Sequence, residues 1–202
     1  MMPKTIPIPI PGGLHTPLPR FAKVKQSLST DTIDDLNLII KNEFSKFSKH
    51  DLANKSVALG VGSRGIKQQP LVIKALVAEL LDAGAKPFIV PAMGSHGGGN
   101  AKGQINVLAS YGITEEMMGA PIQASMDVVK LGEIDDGTPV YCDRLAHEAD
   151  YIIPCNRIKP HTSFRAKHES GLIKMLTIGL SKHEGATAMH FGGMQRFGEV
   201  LP

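Results

Sequence analysis

A chain of 202 residues, 42% hydrophobic and 20% charged, has the composition of a globular protein able to bury a sizeable core. Its net charge of +3 is too small to argue for nucleic acid, no apolar run reaches the length of a membrane span, and the proline-broken start from Met1 to Leu14 has no signal-peptide core. Two cysteines, Cys142 and Cys155, provide neither a disulfide framework nor a CxxC metal site, and the cytoplasm is the default compartment.

Residues 1–28 are proline-rich and read as an N-terminal arm or edge strand, which leaves 29–202 as the main domain. Thr30 reads as an N-cap, with Asp31, Asp34 and Asp35 near the positive end of the helix dipole. Ile33, Leu36, Ile40, Phe44 and Phe47 follow at helical spacing on one face. Ser56–Val61 predicts a strand. Pro70 suits the first turn of a helix running to about Ala83, with Gly84 as its stop. Pro87–Pro91 predicts a second strand, and Asn100 caps a helix ending near Gly112.

Val128–Ile134 and Pro139–Leu145 flank Asp-Asp-Gly-Thr at 135–138, a hairpin signal. Tyr151–Cys155 is a further strand, and Gly171–Leu180 is an apolar run holding one charge, Lys174. The alternation of strands and helices predicts an α/β fold, with a Rossmann-like parallel or mixed sheet and helices on both faces.

Three loops that follow strands carry the chemistry: Gly60–Gly65, Gly94–Gly99 and Asn156–His161. Ligands of open α/β sheets bind beyond the carboxyl ends of strands, so these loops are expected to meet around one cleft. An arginine and two histidines there suit a bound anion flanked by two proton-transfer groups.

Gly60, Gly62 and Gly65 match GxGxxG, which raises a dinucleotide-dependent oxidoreductase. Lys67-Gln68-Gln69-Pro70 delays the helix, and the second strand ends without an acidic residue for a ribose, so this reading carries little weight. Ser63, Arg64 and the loop amides remain suited to a phosphate or carboxylate, while a turn with a solvated arginine explains the loop equally well.

His96 sits among four glycines, where backbone can approach a ligand closely. His161 follows Arg157, Lys159 and Pro160, whose charges would orient a carboxylate and favour a neutral imidazole. No histidine pair has zinc-protease spacing. Lys174 either reaches solvent, pairs with a group such as Glu169, or loses its proton and becomes a nucleophile.

The glycine-rich His96 loop, Lys-Pro-His at 159–161, the Lys174…His190 pair and the string Gly171–Ala186 together resemble the N-terminal domain of the nickel-dependent lactate racemase family. The resemblance spans about Thr5 to His190. It implies that Lys174 is covalently joined to a nickel pincer nucleotide, and that His190 supplies a nickel ligand. It further implies that His96 and His161 exchange protons with a substrate hydroxyl. Ser63, Arg64 and Gly65, with Gly94 and Ser95 of the second loop, are then cofactor-binding.

The implied activity is racemisation or epimerisation of a 2-hydroxy acid through hydride transfer and a planar 2-keto acid. The implied partners are cofactor-synthesis proteins and a C-terminal domain that this chain lacks, so the chain alone is expected to be incomplete. Val61-Gly62 stands where founding racemases carry an acidic residue and a histidine, and Gly97 where they carry arginine, which leaves the substrate open. The alternative is a non-catalytic module that holds a phosphate-bearing ligand.

Overall fold

The structure is a computed structural model describing residues 12–13, 17, 20–28, 32–46, 52–191, 193 and 196–201. The chain divides into two units, 1–33 and 34–202. In the first, residues 20–28 carry no helix or strand and are exposed. Thr30, Asp31 and Phe47, expected to cap or face the first helix, lie outside the described residues.

In the second unit, α1 is Leu36–Ser45, begun by Asp35, whose side chain accepts from the Leu38 amide at 2.9 Å. The expected cap at Thr30 is thus replaced by an aspartate nearer the helix, where a short carboxylate satisfies a free amide. β1 (Ser56–Val61) leads into α2 (Gln69–Asp82), then β2 (Lys86–Pro91). Gly84 ends α2 at φ +75, and the Ala85 amide returns to the Leu80 carbonyl at 3.0 Å.

α3 (Ala101–Ser110) starts at Asn100, whose side-chain oxygen accepts from the Gly103 amide at 2.8 Å. α4 (Glu115–Met118) precedes an antiparallel hairpin of β3 (Val128–Glu133) and β4 (Pro139–Asp143). The hairpin's second strand stops before Leu145, because Asp143 caps α5 (Arg144–His147) by accepting from the Ala146 amide at 2.8 Å. β5 is Tyr151–Cys155.

The parallel sheet has the order β2-β1-β5. Alternate residues of its strands serve opposite faces. Leu59, Val61 and Ile89 pack with Ile73 and Val77 of α2 and Leu108 of α3. Ala58, Phe88 and Val90 pack with Ala146 of α5 and with Met175 and Leu180. Burial on both faces explains why β1 and β2 read as continuous apolar runs rather than alternating ones. Each fully buried branched side chain contributes roughly 1.5–3 kcal/mol relative to exposure.

The apolar run after β5 is not a uniform helix. α6 (Leu172–Lys174) passes into a π-helical turn at Met175–Gly179, followed by α7 (Lys182–His190) and α8 (Phe197–Val200). A Cβ on Gly179 would come within 2.7 Å of the Ala92 carbonyl, so glycine lets the π turn rest on the chain leaving β2. Such turns recur at functional sites, and this one begins directly after Lys174.

Candidate active site

Beyond the carboxyl ends of β1, β2 and β5 lies a cleft of about 320 Å³, lined by Gly62–Arg64, Ala92, Met93, His96, Asn156, Arg157, Lys159, His161, Lys174 and the π turn, among others. The three loops singled out in the sequence converge here because all three strands run parallel and end together. The described lining carries Arg64, Arg157, Lys159 and Lys174 and no carboxylate, a potential that favours anions.

His96 is exposed at the cleft, and its Nδ1 is hydrogen-bonded to the Ser63 hydroxyl. Ser63 is itself held by the Tyr111 hydroxyl, which donates to its carbonyl at 2.5 Å. With Nδ1 engaged, Nε2 remains for a ligand. Partial burial, then Arg64 and Lys174, hold the His96 imidazole below its ordinary pKa of 6.5.

His161 lies deeper, at 9% exposure, on the loop after β5. Its amide donates to Glu169 Oε2 at 2.8 Å, and the Ala166 amide donates to Oε1 at 3.2 Å, so one carboxylate folds the loop around the histidine. The Ser163 amide donates to His161 Nδ1 at 3.1 Å, while Nε2 lies 2.7 Å from Lys174 Nζ. A neutral imidazole that accepts at Nδ1 carries its proton on Nε2, so the lysine must offer a lone pair.

Burial lowers the Lys174 pKa from 10.5, and Lys159 and Arg64 lower it further. Burial also lowers His161, with Lys174 and Lys159 adding to the effect and Glu169 opposing it. Of the three fates open to Lys174 in the sequence, pairing with Glu169 is not adopted; that carboxylate serves the loop amides. The geometry fits a deprotonated amine facing the cleft.

His190, exposed on α7, is outside the cleft lining. Its Nδ1 donates to the Ala186 carbonyl at 2.5 Å, which leaves the Nε2 lone pair unclaimed, as a metal ligand requires. Its ring meets Phe197 at 4.7 Å, Phe197 meets Phe164 at 5.7 Å, and Phe164 meets His161 at 4.4 Å. Buried Phe197 thereby ties α7 to the His161 loop.

Other expected residues are placed differently. Gly65 packs against the Tyr111 ring, Gly94 is buried with its amide donating to Gly179 O at 3.0 Å, and Ser95 is exposed; none of the three lines the cleft. The GxGxxG helix begins only at Gln69, so no helix N-terminus lies directly behind this loop. Among the described residues no group of three or more His, Cys, Asp and Glu gathers as a metal site. No helix among them is long and apolar enough to cross a membrane.

No local pattern in the sequence singles out Tyr111, Gln104 or Lys182 as positioning the loops. All three act on the loops through contacts 48, 8–10 and 91 positions away, which no local pattern records.

The lactate racemase N-terminal domain family matches residues 39–198. The chain belongs to that family. No curated protein and no solved structure matched the chain. The matched span holds every element from β1 to α7, and so all three cleft loops, Lys174 and His190. In this lactate racemase N-terminal domain the first loop contributes Gly62, Ser63 and Arg64 to the lining of the cationic cleft.

Proposed function

We propose that this chain is the cofactor-binding domain of a racemase or epimerase acting on a 2-hydroxy acid, with His96 and His161 as its acid–base pair. The observation that carries the reading is the joint presence of His96, His161 and Lys174 in one cationic cleft. Two imidazoles below their ordinary pKa suit removal of a hydroxyl proton near neutrality.

The residues present fit a nickel pincer nucleotide. Lys174 offers a deprotonated amine for covalent attachment, Ser63 and Arg64 suit its phosphate, and His190 has an unclaimed Nε2 for nickel. When bound, that group supplies the centre that takes up and returns hydrogen with its electron pair at the substrate Cα.

The chain's own residues do the rest. Arg157 and Lys159 bind and orient the substrate carboxylate. His96 Nε2 takes the hydroxyl proton of one enantiomer. His161, protonated at Nε2 while the Ser163 amide holds Nδ1, donates to the substrate oxygen. It takes the proton of the other enantiomer only when that amide contact is released. An amine committed to the cofactor no longer occupies His161 Nε2, which frees that atom for substrate. Closure of the open cleft by a partner domain excludes water.

The test is intact mass, peptide mapping and nickel analysis on protein co-expressed with the cofactor-synthesis enzymes. The expected result is a mass increment on Lys174 with one nickel per chain. Unmodified Lys174 in nickel-bearing protein overturns the attachment, and binding of a phosphate-bearing ligand with neither adduct nor nickel favours the non-catalytic module.

A further inference from the structure

Behind the His96 loop, on the side away from the cleft, lies a buried polar network that the chemistry above does not use. Lys182 is fully buried, at 0% exposure, as are Gln104 and Asp143. Lys182 Nζ donates to the Pro91 carbonyl at 2.7 Å, at the end of β2, and to Gln104 Oε1 at 3.4 Å. Asp143 Oδ2 lies 2.8 Å from the same nitrogen, a fully buried ion pair. Gln104 Nε2 then donates to the Gly94 carbonyl at 2.8 Å and the His96 carbonyl at 3.3 Å.

The orientation of the Gln104 amide follows from its neighbours. Two carbonyls on one side need a donor, and the ammonium on the other needs an acceptor, so the amide cannot flip without losing both. Two further observations indicate that the arrangement is held against resistance. Lys182 has φ +56, an uncommon backbone state for a residue with a side chain. Gly97, at φ +66, is so close to α3 that a Cβ there would meet the Gln104 amide nitrogen at 2.7 Å.

A buried ammonium is costly unless paired, and here its partners belong to β2, β4 and α3. The ion pair thus fixes Gln104, and Gln104 fixes the carbonyls on either side of Ser95.

We propose that Gln104, held by the buried Lys182–Asp143 pair, is a positioning residue that sets the His96 loop and with it the direction of the His96 imidazole. That His96 acts on a substrate rests on the function proposed above; that Gln104 and Lys182 hold its loop does not.

Gln104→Leu tests this while leaving the ion pair intact. In 15N-labelled protein, the His96 imidazole is expected to titrate closer to 6.5, as it loses its partial burial and its place beside Arg64 and Lys174. Exchange of the Gly94, His96 and Gly99 amides should accelerate by about tenfold, the loss of roughly one net hydrogen bond. His161, on a different loop, serves as the internal reference and should keep its titration.

Leu80→Ala, buried with Val57 and Ala85 near the amino end of β1, supplies a comparable or larger loss of stability without touching the loop. It should leave His96 unchanged. Lys182→Met alone would strand a buried carboxylate and could prevent folding, so the second variant is Lys182→Met with Asp143→Asn. That double variant should shift His96 as Gln104→Leu does.

Unchanged His96 titration and loop exchange in Gln104→Leu, or an equal change in Leu80→Ala, overturns the positioning role. A shifted His96 in a protein that never racemises a 2-hydroxy acid supports the positioning role and counts against the function instead.

Discussion

Lys174 Nζ and His161 Nε2 lie 2.7 Å apart, and His161 Nδ1 is already taken by the Ser163 amide. The contact is consistent only if one partner gives up a proton, and burial beside Lys159 and Arg64 makes the lysine the one to do so. A side chain that reads in sequence as an anomaly in an apolar run is, in the fold, a part-buried amine held against an imidazole with its pKa lowered by burial.

Lys174 should therefore react below the ordinary lysine range. Competitive acetylation across a pH series, read by peptide mass mapping, should give it a midpoint below 10.5. A midpoint at or above that value contradicts the deprotonated amine. Lys174→Ala and Lys174→Arg should both abolish a cofactor adduct without loss of the fold.

His96 and His161 should titrate below 6.5, so both are neutral at pH 7. Because their folded pKa values are depressed, unfolding between those values and 6.5 takes up protons. Their contribution to stability is complete above 6.5 and declines as pH falls through the folded values. Two-dimensional NMR of the imidazoles checks the titrations, and denaturant melts from pH 7.5 to 5.0 check the sign. Stability that rises on acidification over this window would count against it.

Gly103→Ala should loosen the His96 loop from beneath. The added methyl would collide with the Gly97 carbonyl, where loop and α3 meet backbone to backbone. Overpacking of this kind costs about 1–3 kcal/mol, measurable by urea denaturation. An unchanged midpoint would mean that the contact has room to relax.

Phe197→Ala should be among the most damaging single changes outside the sheet. Its ring is fully buried and meets both Phe164 and His190. Truncation of such a side chain costs roughly 3–5 kcal/mol. The His161 resonance should broaden or shift as well, because Phe164, which stacks on it, loses its support. A loss below about 1 kcal/mol would show that α8 contributes little to the core.

Local chemistry made much of the fold legible. Ser56–Val61 and Tyr151–Cys155 are strands where the apolar runs placed them, Gly84 stops α2, and Asn100 caps α3. These signals depend on neighbours only a few residues away, so tertiary structure has little opportunity to override them. The first helix differs because Asp34, Asp35 and Thr30 all offer capping oxygens, and Asp35 caps it. β4 is shorter than its apolar pattern for a related reason: Asp143 serves as a cap and as a buried ion-pair partner at once.

The α/β class, the three loops and the residue types in them are legible along the chain, since strand ends and glycine-rich turns are local facts. Which atoms meet depends on the assembled fold. Parallel pairing of β1 with β2 and β5 brings His96 and His161 to one cleft. Packing of α6 and the π turn against the sheet aims Lys174 at His161 rather than at Glu169. Lys182, indistinguishable in sequence from a surface lysine, is buried because its partners Pro91, Gln104 and Asp143 come from elements far apart along the chain. Burial and pairing of a charge are properties of the assembled core, where desolvation and geometry act together, and no sequence window contains them.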